Sequence, residues 1–376
     1  MKKTLIALAV LAASGASFAQ VTITGNLTMG YQAATTHITA AAGALGGVAS
    51  DSSGFGVDTS QIDFAATEDL GGGMKATAKM SLAGADRSGE SNSVTAGDVT
   101  GRDASLTVQT NVGVFTLSSA TSADYLSGGI AGLGVYYSGW NGKITGARSR
   151  RDAVSYLLPI NDFKFSVSYQ EASNNQGLGN GTSGNNSATS PATNLVGQTL
   201  QTIGLNYAKG PLVLDAVFLN FLSSANGNQA VTIAAPTAAQ ILAASTAQGG
   251  TPLLKTQVRL SGSYDLGMVK FGLGHVVTTA DNGINANPKT YETLAAASVP
   301  LGALTLGATF ITKRSDDQAT VSGGNTANGT QNGWSLQAAY ALSKRTALIG
   351  NYARWDGSVA NTTQANQTQS LLSHSF

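Results

Sequence analysis

Apolar and polar residues alternate along this chain in short runs separated by segments rich in Gly, Asn, Ser and Thr. Val21, Ile23, Leu27, Met29 and Tyr31 share one parity, while Thr22, Thr24, Asn26 and Thr28 take the other. Met74, Ala76, Ala78, Met80 and Leu82 alternate with Lys75, Thr77, Lys79 and Ser81 in the same way. Phe163, Phe165, Val167 and Tyr169 oppose Lys164, Ser166 and Ser168, and Val258, Leu260 and Tyr264 oppose Gln257, Arg259 and Ser261. A period of two places successive side chains on opposite faces of an extended strand. The polar faces are too rich in charge for a soluble core, so the apolar faces must meet solvent or lipid.

The spacing of these strands is asymmetric. Short turns fall at 68–73, 111–113, 159–162, 208–210, 265–267, 300–302 and 343–345. Long loops fall near 33–59, 83–100, 120–148, 172–197, 222–255, 278–289, 314–331 and 356–366. With a closure between the last strand and the first, this alternation predicts sixteen antiparallel strands. Short turns on one rim and long loops on the other are the arrangement of an outer-membrane barrel. The chain ends on a strand as well: Thr368, Ser370, Leu372, His374 and Phe376 share a parity opposite to Gln369, Leu371, Ser373 and Ser375. A terminal strand that pairs with the first leaves no open edge. Tyr156, Tyr169, Tyr207, Tyr264, Tyr340 and Phe376 are expected toward the short-turn side, as one interfacial girdle.

The start of the chain changes the picture next. Lys2 and Lys3 precede an apolar run from Leu5 to Ala13 and the small-residue ending Ser17-Phe18-Ala19, the layout of a secretory signal. Residues 1–19 are therefore read as a cleaved signal peptide and 20–376 as one barrel domain. Loss of the two lysines takes the basic total from 21 to 19 against 20 acidic residues, a net charge of −1 with histidine neutral. That balance gives no argument for nucleic acid. The absence of cysteine removes disulfides and thiolate metal sites and suits passage through an oxidising compartment. The longest apolar stretch after the signal, Leu294 to Ile311, is broken at Pro300-Leu301-Gly302 and reads as two strands and a turn.

Three motifs carry a resemblance. Glu68-Asp69-Leu70-Gly71-Gly72-Gly73-Met74-Lys75-Ala76 is similar to the first periplasmic turn of the β-proteobacterial general porins, and Tyr340-Ala341-Leu342-Ser343-Lys344-Arg345-Thr346 to their penultimate hairpin turn. The ending Leu372-Ser373-His374-Ser375-Phe376 resembles their C-terminal signature. The resemblance implies a general (non-specific) outer-membrane porin of Gram-negative bacteria. The expected fold is then an all-β transmembrane antiparallel barrel of 16 strands, with short periplasmic turns, long extracellular loops and the third loop folded into the lumen. It also implies a homotrimer in contact with outer-membrane lipid and lipopolysaccharide, a terminal strand with Phe376 as an assembly signal for the barrel-assembly machinery, and no cofactor.

By order the third loop is 120–148, with Asp124, Tyr125, Tyr136, Tyr137, Trp140 and Lys143; Asp124, the tyrosines and Trp140 are the constriction candidates. It carries a single acidic residue, fewer than the family often has there. Gln61 and Ser118-Ser119 stand where the family's barrel wall has arginines. Inward polar parity selects Lys75, Lys79, Arg151, Lys164, Arg259, Lys270 and Lys313 against Asp63, Asp103, Asp215 and Glu292. By distance from the short turns, Lys79, Arg259 and Asp63 are placed near mid-height, with Arg151 and Asp103 somewhat higher. Arg102 shares parity with Leu106 and Val108 and turns inward only through a bulge or the strand's end. An excess of fixed positive charge in a narrow pore concentrates anions, so a weakly anion-preferring diffusion channel for small hydrophilic solutes is expected. The three histidines, His37 in the first loop, His275 on an outward parity and His374 in the last strand, form no triad or metal cluster. A barrel that acts mainly as a surface adhesin or structural anchor through its long loops stays open at this point.

Overall fold

In the computed structural model, residues 20–38, 48–84, 99–135, 140, 144–145, 148, 150–172, 199–222, 253–281, 288–316, 329–358 and 363–376 are described. Among them, sixteen strands follow one another: β1 (Gln20–Ile38), β2 (Val48–Gly71), β3 (Met74–Ala83), β4 (Thr100–Thr110), β5 (Gly113–Thr121), β6 (Arg150–Ile160), β7 (Phe163–Ala172) and β8 (Thr199–Lys209). They continue as β9 (Leu212–Leu222), β10 (Leu253–Asp265), β11 (Lys270–Asp281), β12 (Lys289–Leu301), β13 (Leu304–Asp316), β14 (Gly329–Ala341), β15 (Thr346–Ser358) and β16 (Thr363–Ser375). Each pairs antiparallel with its sequence neighbours, and β1 pairs with β16 to close the barrel. Closure leaves every strand with two partners, which is what a membrane without water to satisfy backbone groups demands.

The seven short turns lie where alternation breaks. At β2–β3, Gly71, Gly72 and Gly73 all adopt positive φ (78°, 62° and 82°), and Asp69 Oδ1 accepts from the Gly71 N–H at 2.9 Å. A Cβ at these positions would meet the left-handed penalty. At β6–β7 the same conformation falls to Asn161 (φ 52°), a residue whose side chain tolerates it.

The seam between first and last strands is fixed by small and polar residues. On the inside, Asn26 Nδ2 donates to Ser373 and Ser375 (3.3 and 3.1 Å), and Thr28 Oγ1 donates to Ser373 at 2.8 Å. On the outside, Gly25 and Phe376 exchange both backbone hydrogen bonds at 3.0 Å. A Cβ added at Gly25 would fall on the Phe376 ring and within 2.7 Å of the Gln61 carbonyl. Glycine there makes room for the terminal aromatic ring.

Outward positions form an exposed apolar belt, as the alternation requires: Val258, Leu260, Leu273, Leu306 and Leu336 are exposed while Gln257, Val276, Thr309 and Ser335 are buried. Phe115 packs on Tyr156 (4.7 Å) and Phe163 on Tyr207 (4.8 Å) beside the short turns. Tyr169 departs from the expected girdle. It pairs across to Val154 and Gln201, three residues from the long-loop end of β7, and so sits nearer the other rim.

Two expected loops are shorter than the sequence suggests. The segments 33–38 and 48–59 continue β1 and β2 as a ladder up to Ile38 opposite Val48, and β16 follows them to Thr363. His37 consequently lies in β1, opposite Ala49 and Gln364, and not in a loop.

Candidate functional site

The third long loop enters the barrel and lies on its inner wall. Its start is fixed by Asp103, whose Oδ1 accepts from the Thr121 N–H (2.9 Å) and Oγ1 (3.3 Å). Asp124 then caps the first bend, accepting from the Leu126 and Ser127 N–H groups at 3.1 Å each and from the Ser127 hydroxyl. A turn of 3-10 helix, Ile130–Gly132, follows and ends at Leu133 in the left-handed region (φ 56°).

From this path Leu126, Ala131, Trp140 and Ile144 bury themselves against Val276, Leu294, Ala296, Ile311, Ala353, Trp355 and Ala365 of the wall. The cluster is the only apolar core identified among the described residues, and it lies inside the barrel. Trp140 is fully buried. Its Nε1–H donates to Thr309 Oγ1 at 3.1 Å, which in turn bonds Ser335 at 2.6 Å, and its ring meets Trp355 edge-on at 6.5 Å.

Glycines on the wall receive the loop. A Cβ at Gly274 would strike Leu126 and Ala131, one at Gly307 would strike Val135 at 2.8 Å, and one at Gly333 would strike Trp140 and Ile144. Gly272 meets the backbone of Ala131 in the same way. These glycines share the inward parity of their strands, so the wall is lowered by one side chain wherever the loop presses on it.

The charged side chains divide between loop and wall. Arg259 stacks its guanidinium 3.7 Å from the Tyr125 ring centroid, and its Nε–H donates to Gln257 Oε1 at 2.6 Å. The Tyr125 hydroxyl donates to Glu292 Oε2 at 3.1 Å, and Glu292 Oε1 lies 3.8 Å from Lys313 Nζ. Burial, and after it the Glu292 carboxylate, raise the Tyr125 phenol above its ordinary range. It therefore remains a donor, and loop and wall stay joined across the Arg259–Tyr125–Glu292–Lys313 chain. Arg151, on β6, is within electrostatic reach of Arg259.

On β2 and β3, Lys79 Nζ lies 3.8 Å from Asp63 Oδ1, and Gln61 Nε2 donates to both Asp63 oxygens at 3.0 and 3.1 Å. Arg102 takes the place that only an irregularity allows. Met80 opposes Ala104 while Leu82 opposes Gly101, so β4 carries one residue more than β3 across this step. Arg102 and Asp103 both stand opposite Ser81, whose Oγ accepts from the Asp103 N–H at 3.0 Å.

Of the constriction candidates, Tyr125 and Trp140 are thus brought to the wall, while Asp124 spends its carboxylate on the loop's own backbone. Tyr136 and Tyr137 lie outside the described residues, as does the proposed signal peptide, 1–19. Sequence reasoning missed the glycine seats and the Thr309–Ser335 pair; glycine at inward parity in an otherwise apolar strand was the available signal.

The family model for Gram-negative porins matches residues 4–360. The chain belongs to the Gram-negative porin family. Its structure resembles that of an anion-selective porin from Comamonas acidovorans, with a TM-score of 0.61 at 18% identity over 95% of this chain and 100% of that one. It also resembles a loop-deletion mutant of OmpT, an outer membrane protein of Vibrio cholerae (TM-score 0.54, 15% identity, 95% and 99% covered). A mutant of the Rh. blastica porin is similar as well (TM-score 0.54, 12% identity, 95% and 100% covered). Among curated proteins none matches the sequence. This porin is a sixteen-stranded barrel of the outer membrane and a channel for solutes across it, with its third loop inside the lumen.

Proposed function

We propose that this porin is a passive diffusion channel for small hydrophilic solutes and ions, weakly anion-preferring, that works as a homotrimer. The observation that carries the reading is the docking of the third loop against one side of a closed barrel. That arrangement supports a lumen narrowed but not filled, with residues 120–148 as the constriction and Lys79, Arg102, Arg151, Arg259 and Asp63 as its lining.

The sign of the preference follows from the balance of charges that face the lumen. Lys79 is set against Asp63 and Lys313 against Glu292, so those pairs contribute little net field. Arg259, stacked on Tyr125, is within electrostatic reach of Arg151 as well as of Glu292 and Asp215, and the excess of seven basic over four acidic inward positions supports a positive potential beside the loop. The Comamonas acidovorans porin that this fold resembles is anion-selective, in agreement with that sign. At about 0.15 M salt, screening acts over roughly 8 Å, so the preference is weak and confined to the narrow section.

Planar-bilayer recording tests the reading. Purified protein is expected to insert with conductance steps in threes and a reversal potential on the anion side of a salt gradient. Replacing Arg151 and Arg259 together with Gln should move the reversal potential toward cations, most at low salt. A cation-selective wild type would overturn the assignment of sign, and a barrel that never opens would overturn the channel reading.

A further inference from the structure

The outer face of the barrel carries a groove that the channel does not use. It measures about 970 Å³ and spans β7 to β11 on the short-turn side. Its floor is made where side chains are missing: Gly262 on β10 lies between Leu214 and Leu273, and Ala216 lies opposite Leu260. Its walls are Leu205, Leu214, Leu260, Tyr264, Phe271 and Leu273. Of these, Leu205, Leu260, Tyr264, Phe271 and Leu273 are exposed apolar or aromatic surface on the side facing away from the lumen.

We propose that this groove is a site for a phospholipid of the periplasmic leaflet, with one acyl chain along Gly262 and Ala216. Three observations select that occupant. The face lies in the membrane, so the medium that fills any dent there is acyl chain. From Tyr264 to Leu260 is about 13 Å along the strand at ~3.3 Å per residue, which matches half of an apolar band about 25 Å tall. The groove starts at the short-turn rim, where Lys209 and Asp162 pair at 3.1 Å and both stay in part exposed. Lys209, the last residue of β8, is two residues from Tyr207, and Asp162 is next to Phe163, and both aromatics line the groove; at that rim Lys209 would meet the phosphate of the headgroup and Asp162 its ammonium. The ends of the site are thus zwitterionic and its middle apolar, the layout of a phosphatidylethanolamine.

Association inside a bilayer gains little from the hydrophobic effect and depends on fit. A chain lying where Gly262 and Ala216 leave space makes contacts that a flat belt of leucines does not offer. A Cβ at Gly262 meets first the end of the Leu214 side chain at 2.8 Å, a group that can turn aside, and then the Val213 carbonyl at 3.3 Å, so a larger residue fills the groove at the cost of a small shift in the ladder.

Native mass spectrometry of the folded porin, titrated with phosphatidylethanolamine, tests the site. Wild type is expected to retain about one lipid per chain under activation that strips the rest, and Gly262→Leu and Ala216→Leu should each lower that retention roughly fivefold. Lys209→Gln should weaken retention of phosphatidylethanolamine while the apolar floor is intact. Single-channel conductance should be the same in all of them, since none faces the lumen. Equal retention in wild type and in whichever filled variant folds would overturn the proposal. Filled variants that dissociate into single chains while binding lipid as before would also overturn it, and would assign the groove to a second copy.

Discussion

Replacing Trp140 by Ala should free the third loop while leaving the barrel closed. The indole is fully buried between the loop and β13 to β15, bonded to Thr309, edge-on to Trp355 and seated over Gly333. Large-to-small changes of this kind cost about 3–5 kcal/mol, because the transfer energy and the residual cavity add. At about 1.4 kcal/mol per decade that is roughly two to three and a half powers of ten in the ratio of docked to undocked loop. No strand pairing depends on the residue, so heat-modifiability and folded yield should stay near wild type. In planar bilayers Trp140→Ala should show higher mean conductance and more open-channel noise, and liposome swelling should admit larger sugars. Trp140→Phe keeps most of the packing and gives up a hydrogen bond to a hydroxyl that Ser335 still partners, a loss of about 1 kcal/mol, so its channels should be far quieter. If the alanine variant has the wild-type conductance, noise and size cutoff, then the loop is not held by this anchor or does not set the pore.

Gly307→Val places methyl groups where the Val135 side chain already sits, and should lift the loop and raise noise as Trp140→Ala does, while Gly350→Ala, which faces open space, should leave recordings unchanged. Because its pKa is raised, the Tyr125 contact with Glu292 contributes fully below about pH 10 and is lost as pH climbs further. Open-channel noise should therefore rise above pH ~10 in wild type and stay flat with pH in Tyr125→Phe. Lys79→Gln leaves Asp63 without its nearby cation and should shift the reversal potential toward cations without loss of folded barrel; no shift at low salt would mean the pair lies away from the narrow section. Deleting Phe376, or changing Gly25 to Val against its ring, should lower the yield of folded, heat-modifiable protein while secretion continues; normal yield for both would remove the seam as an assembly determinant.

The strands with strong contrast between their faces, such as Met74–Ala83 and Phe163–Ala172, were legible because lipid and lumen demand opposite chemistry at successive residues. Contrast fails where Ala, Ser and Gly occupy both faces, and there the extension of β1 over 33–38 and that of β2 over 48–59 looked like a loop. Backbone pairing needs no amphipathic pattern. The near-continuous apolar run from Leu294 to Ile311 has the complementary explanation. Outward residues such as Leu306 and Phe310 are exposed on the belt, while inward Leu294, Ala296 and Ile311 are covered by the third loop, so both faces are apolar. That run marked the loop's seat in the sequence, but nothing local says which segment returns to cover it. The orientation of Arg102 was open for a related reason: the extra residue in β4 depends on how Ser81 bonds Asp103, a matter of pairing between strands and not of either strand alone.

The last residue of the chain holds both the N–H and the carbonyl of Gly25. A chain that lacks Phe376 presents a bare donor and acceptor at the seam, beside an empty notch the width of an aromatic ring. Such an edge is a template for a foreign strand, or a point at which a protease can begin. The joint that seals the cylinder is therefore also its most exposed point of failure, since without Phe376 the strand edges that shut the barrel stand open.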